Sequence, residues 1–172
     1  MKAQTLLAAI AILGLVQTTA APARAAEECG PSEAKLDVTV EGLRSPKGLI
    51  TYTLYPDNKK KFLAKGGSLQ RIRVDARAPA TETCVPLPGP GTYLLAVYHD
   101  EDGNRKLNRS IIGLPREGFG FSNNATSSIG LPSFDAVRFI AKQGVTALKI
   151  KLRYLSGKEK LPADLPKDLL AQ

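Results

Sequence analysis

Short segments in which apolar and polar residues alternate dominate this sequence. Leu36, Val38 and Val40 alternate with polar neighbours over 35–41, and the same period returns over 148–154. A period of two places every second side chain on one face of a strand, whereas a helix needs a period near 3.6. These segments therefore predict strands that each bury one face.

The whole chain contains about seven such segments, separated by turn-forming Gly, Pro and Asn residues. The run 92–99 is apolar at odd and even positions alike, which predicts a central strand with both faces covered. No segment has a convincing helical period, so we predict an all-β fold, a single antiparallel Ig-like β-sandwich of about seven strands with one long loop. The predicted strands are 35–41, 49–55, 71–75, 83–87, 92–99, 136–140 and 148–154.

The two ends of the chain differ from this pattern. Lys2, the apolar run 6–16 and the small-residue motif Ala23–Arg24–Ala25 are typical of a signal peptide, which we place at 1–25. The apolar run is shorter than the roughly 20 residues that cross a bilayer. We therefore predict a periplasmic or secreted protein that does not span the membrane, with the sandwich at 26–156 and a C-terminal tail at 157–172.

Charge gives little information about the partner. The chain has 24 Lys and Arg against 16 Asp and Glu, but these bases are scattered and 59–61 is their only run. Nucleic-acid binding is not expected, because no aromatic side chains are interleaved with the basic ones. A solvated basic surface and weak attraction to an anionic envelope surface both remain open.

Two cysteines, Cys29 and Cys84, are the only ones in the chain. In an oxidising compartment such a pair most simply forms one disulfide. Closing so long a loop contributes about 4 kcal/mol in the chain-entropy treatment. Two thiols and a single histidine are too few for a zinc site, and the cysteines lack the Cys-x-x-Cys spacing of redox centres.

One long loop follows the predicted central strand and gathers polar, turn-forming and aromatic residues. Such loops carry function more often than cores do. Phe119 and Phe121 could cover the sandwich or face a ligand, and a groove beneath them would favour a small ligand over a protein. The partner is predicted to be an envelope protein, a glycan or a small ligand. The predicted binding residues are His99, Glu117, Phe119, Phe121, Ser122, Asn123 and Asn124.

Part of this loop has the spacing of a calcium coil. Alternate side-chain oxygens and one carbonyl can converge on a hard cation at about 2.4 Å. Arg105 stands where such a coil normally has glycine, and Ile111 where it has a bidentate glutamate, so Glu117 would have to supply a carboxylate. The alternative is that Asp102–Gly103–Asn104 is simply a turn, so the cofactor is either none or calcium. The tentative calcium ligands are Asp100, Asp102, Asn104, Lys106 (through its carbonyl) and Asn108.

Catalysis is the other class of function considered. His99, Asp100 and Ser122 are residue types found in acyl-transfer triads. The sequence around Ser122 lacks the second glycine of a nucleophile elbow. Neighbouring strand residues such as His99 and Asp100 also point to opposite faces. We therefore predict a non-enzymatic protein, with a small hydrolase using His99 and Ser122 as the alternative.

Two stretches resemble known families. The segment 87–97, with its Pro–Gly–Thr–Tyr strand start, resembles prealbumin-like and carboxypeptidase-regulatory-like sandwiches. The loop 99–124 resembles the bacterial family known as domain of unknown function 2141, and the resemblance extends over 36–154. It implies a small exported β-sandwich whose role is not established. The family loop runs His-Asp-x-Asn-x-Asn-Gly-Lys-Leu-Asp; here Asp102 replaces the first Asn, Arg105 the Gly and Asn108 the last Asp.

Overall fold

The computed structural model describes residues 29–30, 32–111, 113–126 and 131–155. This part of the chain folds almost entirely into strands, and the all-β prediction is confirmed. The predicted signal peptide at 1–25, the tail at 157–172 and both sandwich boundaries, at 26 and 156, lie outside the described residues. The strands are β1 (Ala34–Glu41), β2 (Leu49–Pro56), β3 (Gln70–Asp75), β4 (Ala80–Pro86), β5 (Gly91–Asp100), β6 (Phe119–Phe121), β7 (Phe139–Ala141) and β8 (Gly144–Lys151).

The helical content of the described residues is small. A 3-10 helix covers Ser122–Asn124 and a one-turn α-helix, α1, covers Phe134–Val137. The strand predicted over 136–140 was therefore wrong in its first half. The Ser133 side chain accepts a hydrogen bond from the Ala136 N–H and so caps a helical turn before the strand begins. No helix of the described residues is long and apolar enough to cross a membrane.

Two sheets make up the sandwich. The smaller has the strand order β4-β1-β8, and the larger has the order β3-β2-β5-β6. β7 also pairs with β5, opposite 91–93, so β6 and β7 share one edge of that long strand. All pairs are antiparallel except β1 with β8, which run parallel with Val38 opposite Leu148. The first and last strands of the domain are therefore neighbours.

The main core lies between the inner faces of the two sheets. Leu36, Val38 and Val40 of β1 are fully buried there, as their alternation predicted. Facing side chains come from the larger sheet, where every second residue of β2 and β5 points inward. Removing these side chains from water is the main stabilising contribution to the sandwich. The inward residues of the larger sheet include Ile50, Tyr52, Leu54, Leu95 and Val97.

The outer face of the larger sheet is also covered, which explains why the run 92–99 is apolar on both faces of its strand. A second cluster, which we call the outer cluster, packs there around Tyr55, Leu94, Phe121 and Val137. The segment 59–67 contributes the partly buried Phe62 and Leu63 to it. The covering layer therefore consists of a connection, α1 and the long loop rather than another sheet.

The two sheets approach each other closely at β6. The Phe119 N–H donates to the Arg153 carbonyl at 3.0 Å, and the Arg153 N–H donates back at 2.9 Å. A Cβ atom on Gly120 would lie 2.7 Å from Cγ2 of Ile150, so only glycine fits between β6 and β8. This contact fixes the place from which the long loop returns to the sandwich.

The predicted disulfide is present. Cys29 is bonded to Cys84 of β4, with their Cα atoms 5.5 Å apart. The bridge ties the beginning of the described chain to an outer strand of the smaller sheet.

Candidate functional site

The segment after β5 is wound into a coil by its own side chains. The Asp100 carboxylate accepts a hydrogen bond from the Arg105 N–H at 2.7 Å. Asp102 accepts from the Asn104 N–H at 3.1 Å, and Asn104 accepts from the Lys106 N–H at 2.8 Å. Each oxygen bonds a backbone group farther along the chain, so the backbone curls around the side chains at alternate positions. Arg105 adopts a φ of 65°, in the left-handed region.

Glu117 reaches the same coil from the other end of the loop. It is almost completely buried, at 3% exposure. One carboxylate oxygen accepts from the Glu101 N–H at 3.0 Å and the other from the Asn108 N–H at 2.8 Å. Glu117 therefore joins the beginning and the end of the coil.

Three carboxylates meet as a result, and we call Asp100, Asp102 and Glu117 the acidic cluster. One oxygen from each lies within 4.8 Å of the others. Asp100 is fully buried, and its Oδ1 has no hydrogen-bond partner within the described chain. A buried carboxylate oxygen without a partner is costly, because it has lost its hydration and gained nothing in return.

Two asparagines complete the coil. The Asn108 amide donates to Asp102 at 2.8 Å, and the Asn104 amide donates to the Asn108 side-chain oxygen at 2.8 Å. The structure thus brings several of the predicted residues together, because Asn108 hydrogen-bonds Asp102, Asn104 and Glu117. Lys106 contributes its N–H to the coil.

The charges of the acidic cluster influence one another. Burial raises the pKa of Glu117, the N–H groups of Asn108 and Glu101 oppose this, and the charges of Asp100 and Asp102 raise it further. The pKa of Asp102 is lowered, chiefly by the amide of Asn108. Negative charge is thus concentrated around Glu117, and the two N–H groups offset only part of the effect of burial and of the neighbouring carboxylates on its pKa.

An open depression connects the acidic cluster with solvent. Asp102, Asn108 and Glu117 line it, together with basic residues at its rim. The neighbouring Glu101 is held by Arg44, whose Nε lies 2.9 Å from it, and the pKa of Glu101 is lowered mainly by this bond. The Glu101 carboxylate is thus engaged with Arg44. The basic rim residues are Arg44, Arg109 and Arg116.

His99 lies on the opposite side of β5 from Asp100 and is completely buried. Its Nε2 lies 2.8 Å from the Lys47 carbonyl, which can only accept, so Nε2 carries a hydrogen. Its Nδ1 lies 2.8 Å from the Tyr154 hydroxyl, which accepts from the Arg44 N–H at 3.3 Å. Both ring nitrogens are therefore engaged inside the protein. The predicted binding role of His99 stays a prediction.

The polar residues after β6 also have internal partners. The buried Ser122 hydroxyl contacts the Val137 carbonyl at 2.5 Å and accepts from the Leu95 N–H at 3.1 Å. Asn123 donates to the carbonyls of Ala136 and Arg138, and Asn124 bonds Lys149 and Lys151 of β8. These side chains fasten the loop to α1 and β8, and their binding role is also untested.

Phe119 and Phe121 cover the sandwich and also border a cleft. They pack edge to face, 6.1 Å between ring centroids, within the outer cluster. They also line a cleft of about 370 Å³ between the larger sheet and the loop. Sequence reasoning missed Tyr55 and Arg71, which line the same cleft, because they lie far from the loop in the chain.

Residues 38–149 match the sequence profile of a bacterial family described as "Uncharacterized protein conserved in bacteria (DUF2141)". The chain belongs to this family. The DUF2141 match runs from β1 to β8 and includes the whole loop that carries the acidic cluster, so the predicted family is confirmed. No curated protein and no solved structure matches the chain. The resemblance of 87–97 to prealbumin-like sandwiches is not addressed by the DUF2141 match and stays a prediction.

Proposed function

We propose that this protein is an exported binding module whose long loop holds a calcium ion in the acidic cluster. The observation that carries the proposal is the Asp100 Oδ1 atom, which is buried and unpartnered beside two further carboxylates. Two oxygens that contact one ion at about 2.4 Å are at most about 4.8 Å apart. The spacing of the three carboxylate oxygens therefore suits one cation in contact with all of them.

The conformation of the loop supports calcium over other cations. Three carboxylates and nearby amide oxygens form a set of hard oxygen ligands, which calcium accepts in flexible numbers. Magnesium demands near-ideal octahedral geometry and keeps its waters, so a coil already closed by backbone hydrogen bonds suits it less. Asn104 and Asn108 can turn their amide oxygens towards an ion. The Lys106 carbonyl is the further ligand that the spacing of a calcium coil predicts.

We expect the affinity to be weak. Arg44, Arg109 and Arg116 line the depression that leads to the acidic cluster, and they repel a cation. Arg105 also holds a backbone conformation that favours glycine. An affinity in the range of extracellular modules, roughly 10⁻⁴–10⁻³ M, fits such a site.

Export and binding are proposed together. The signal-like segment at 1–25 and the Cys29–Cys84 disulfide both favour an oxidising compartment outside the cytoplasm. Binding is favoured over hydrolysis because the His99 ring and the Ser122 hydroxyl are buried and engaged with separate partners. An envelope protein, a glycan and a small ligand all remain possible partners of the module.

Thermal unfolding with and without calcium tests the cation site. The purified protein is first stripped with chelator and then melted at increasing CaCl₂ and constant ionic strength. At ten times the dissociation constant, calcium should stabilise the fold by about 1.4 kcal/mol and raise Tm by a few degrees. Magnesium at the same concentration should produce a smaller shift.

The variant Asp100→Asn gives the sharpest control. It removes the unpartnered carboxylate oxygen, so the calcium-free protein should be at least as stable as wild type, while the calcium response disappears. Asp135→Asn, at a carboxylate that is 83% exposed and outside the loop, should keep the full response. A Tm independent of calcium, or an equal response in Asp100→Asn, contradicts the proposal.

A further inference from the structure

We propose that the cleft beneath the long loop binds a small amphiphile with an apolar body and a carboxylate head. This cleft adjoins the acidic cluster, since Arg109 lines both the cleft and the depression there, but the inference does not depend on calcium binding. The cleft lies on the outer face of the larger sheet, between β2, β5, β6 and the loop. Its volume of about 370 Å³ is near the lower end of the roughly 300–1,000 Å³ that small-molecule pockets occupy.

The floor of the cleft is apolar and aromatic. Phe119 and Phe121 of β6 lie beside Ala96 of β5, and Tyr55 of β2 completes the floor. Leu114 of the loop closes the cleft from above and is itself buried. An alkyl chain or one aromatic ring placed here loses its contact with water, which is the main source of affinity in such pockets.

The charged residues at the cleft all have one sign. Arg71, Arg105, Lys106 and Arg109 line it, and among the described residues no carboxylate does. None of these four makes an ion pair within the described ranges of the chain. Their positive charge is therefore available to an anionic group, whereas a cationic head would be repelled.

Two of these cations are held in place. Arg71 donates from Nε to the Thr53 hydroxyl at 3.2 Å, and Arg109 donates to the Gly113 carbonyl at 3.0 Å. An arginine with a fixed guanidinium loses less conformational freedom when it binds, and its planar fork matches a carboxylate. The cleft is too small for a folded segment or a two-chain lipid, so we assign it to a single short chain or ring with a carboxylate.

Calorimetric titration with two matched amphiphiles tests the assignment. Decanoate and decyltrimethylammonium have ten-carbon chains but opposite charges, and each is added below its micelle concentration to the full chain. We expect one decanoate per chain, bound at least tenfold more tightly than decyltrimethylammonium. Equal affinities, or no binding of decanoate, overturn the proposal and leave the cleft to a peptide or to another part of this chain.

Substitutions then locate the binding. The double variant Arg71→Gln/Arg109→Gln should weaken decanoate binding at least tenfold. Arg73→Gln should leave it unchanged, because Arg73 lies on the same strand, is also exposed and does not line the cleft. Ala96→Leu should also weaken binding, because its larger side chain fills the floor. Unchanged binding in the double variant, with melting curves that show a folded protein, contradicts the assignment.

Discussion

Arg105 is the residue whose conformation most opposes its chemistry. Its φ of 65° lies in the left-handed region, where a side chain costs about 1–2 kcal/mol. The coil keeps it there because its N–H is needed by Asp100. The coil thus places a positively charged side chain at the cleft at a cost in backbone strain.

Replacing this residue should stabilise the protein. Arg105→Gly relieves the left-handed strain and adds the flexibility of glycine to the unfolded chain, which costs about 0.5–1 kcal/mol. We expect a net gain of about 0.5–1 kcal/mol in the free energy of unfolding, measured with urea in chelator. Lys106→Gly, whose residue lacks a positive φ, should instead lose stability. Equal losses in both variants would contradict the argument.

At the scale of single residues, the sequence predicted short-range contacts better than long-range ones. The alternate spacing of Asp100, Asp102 and Asn104 was sufficient to predict that their side chains gather in one coil, because a coil of this kind is a local structure with local hydrogen bonds. The partners of His99 could not be predicted, since Lys47 and Tyr154 are 52 and 55 residues away. The unpartnered Asp100 oxygen likewise depends on how the whole loop packs over β5.

Among the elements, β6 joins the long loop to both sheets. It has three residues, and its middle residue Gly120 faces β8 across a gap that admits no side chain. Both flanking phenylalanines belong to the outer cluster. The position of the cleft wall therefore depends on how closely this one glycine approaches Ile150.

Gly120→Ala should accordingly be destabilising. The added Cβ would lie 2.7 Å from Ile150 Cγ2 and 3.0 Å from the Lys151 carbonyl, so β6 must move away from β8. We expect a loss of about 1–3 kcal/mol in the free energy of unfolding, as for other overpacked sites. Gly89→Ala is the matched control, because its Cβ would meet nothing within 4 Å. A loss for Gly120→Ala no larger than for the control would contradict the inferred contact.

Most of the elements followed from the sequence, although β6 was not among the predicted strands. Alternation identified β1, β3 and β8, because a period of two is a property of each strand alone. It could not show that β1 and β8 run parallel, since strand direction depends on the connections between them. The segment 136–140 was misread because a capped turn of four residues is too short to show a helical period.

For the whole molecule, the disulfide should contribute much of the stability. Cys29 and Cys84 are 55 residues apart, and closing such a loop in the unfolded chain is worth about 4 kcal/mol in the entropy treatment. Cys29→Ser/Cys84→Ser should lower the free energy of unfolding by about this amount, measured with urea. Reductant should lower wild-type stability equally and leave the variant unchanged. A loss below about 1 kcal/mol would contradict the expectation.

Residues 105–109 belong to two places at once. One side of this segment winds around the acidic cluster, and the other side forms a wall of the cleft. A ligand that orders this segment from one side reduces the loss of conformational entropy when a second ligand binds on the other side. Cation and amphiphile would then be reciprocal effectors, each changing the dissociation constant of the other by the same factor. With both proposed sites occupied, free calcium would change how tightly the proposed amphiphile is bound.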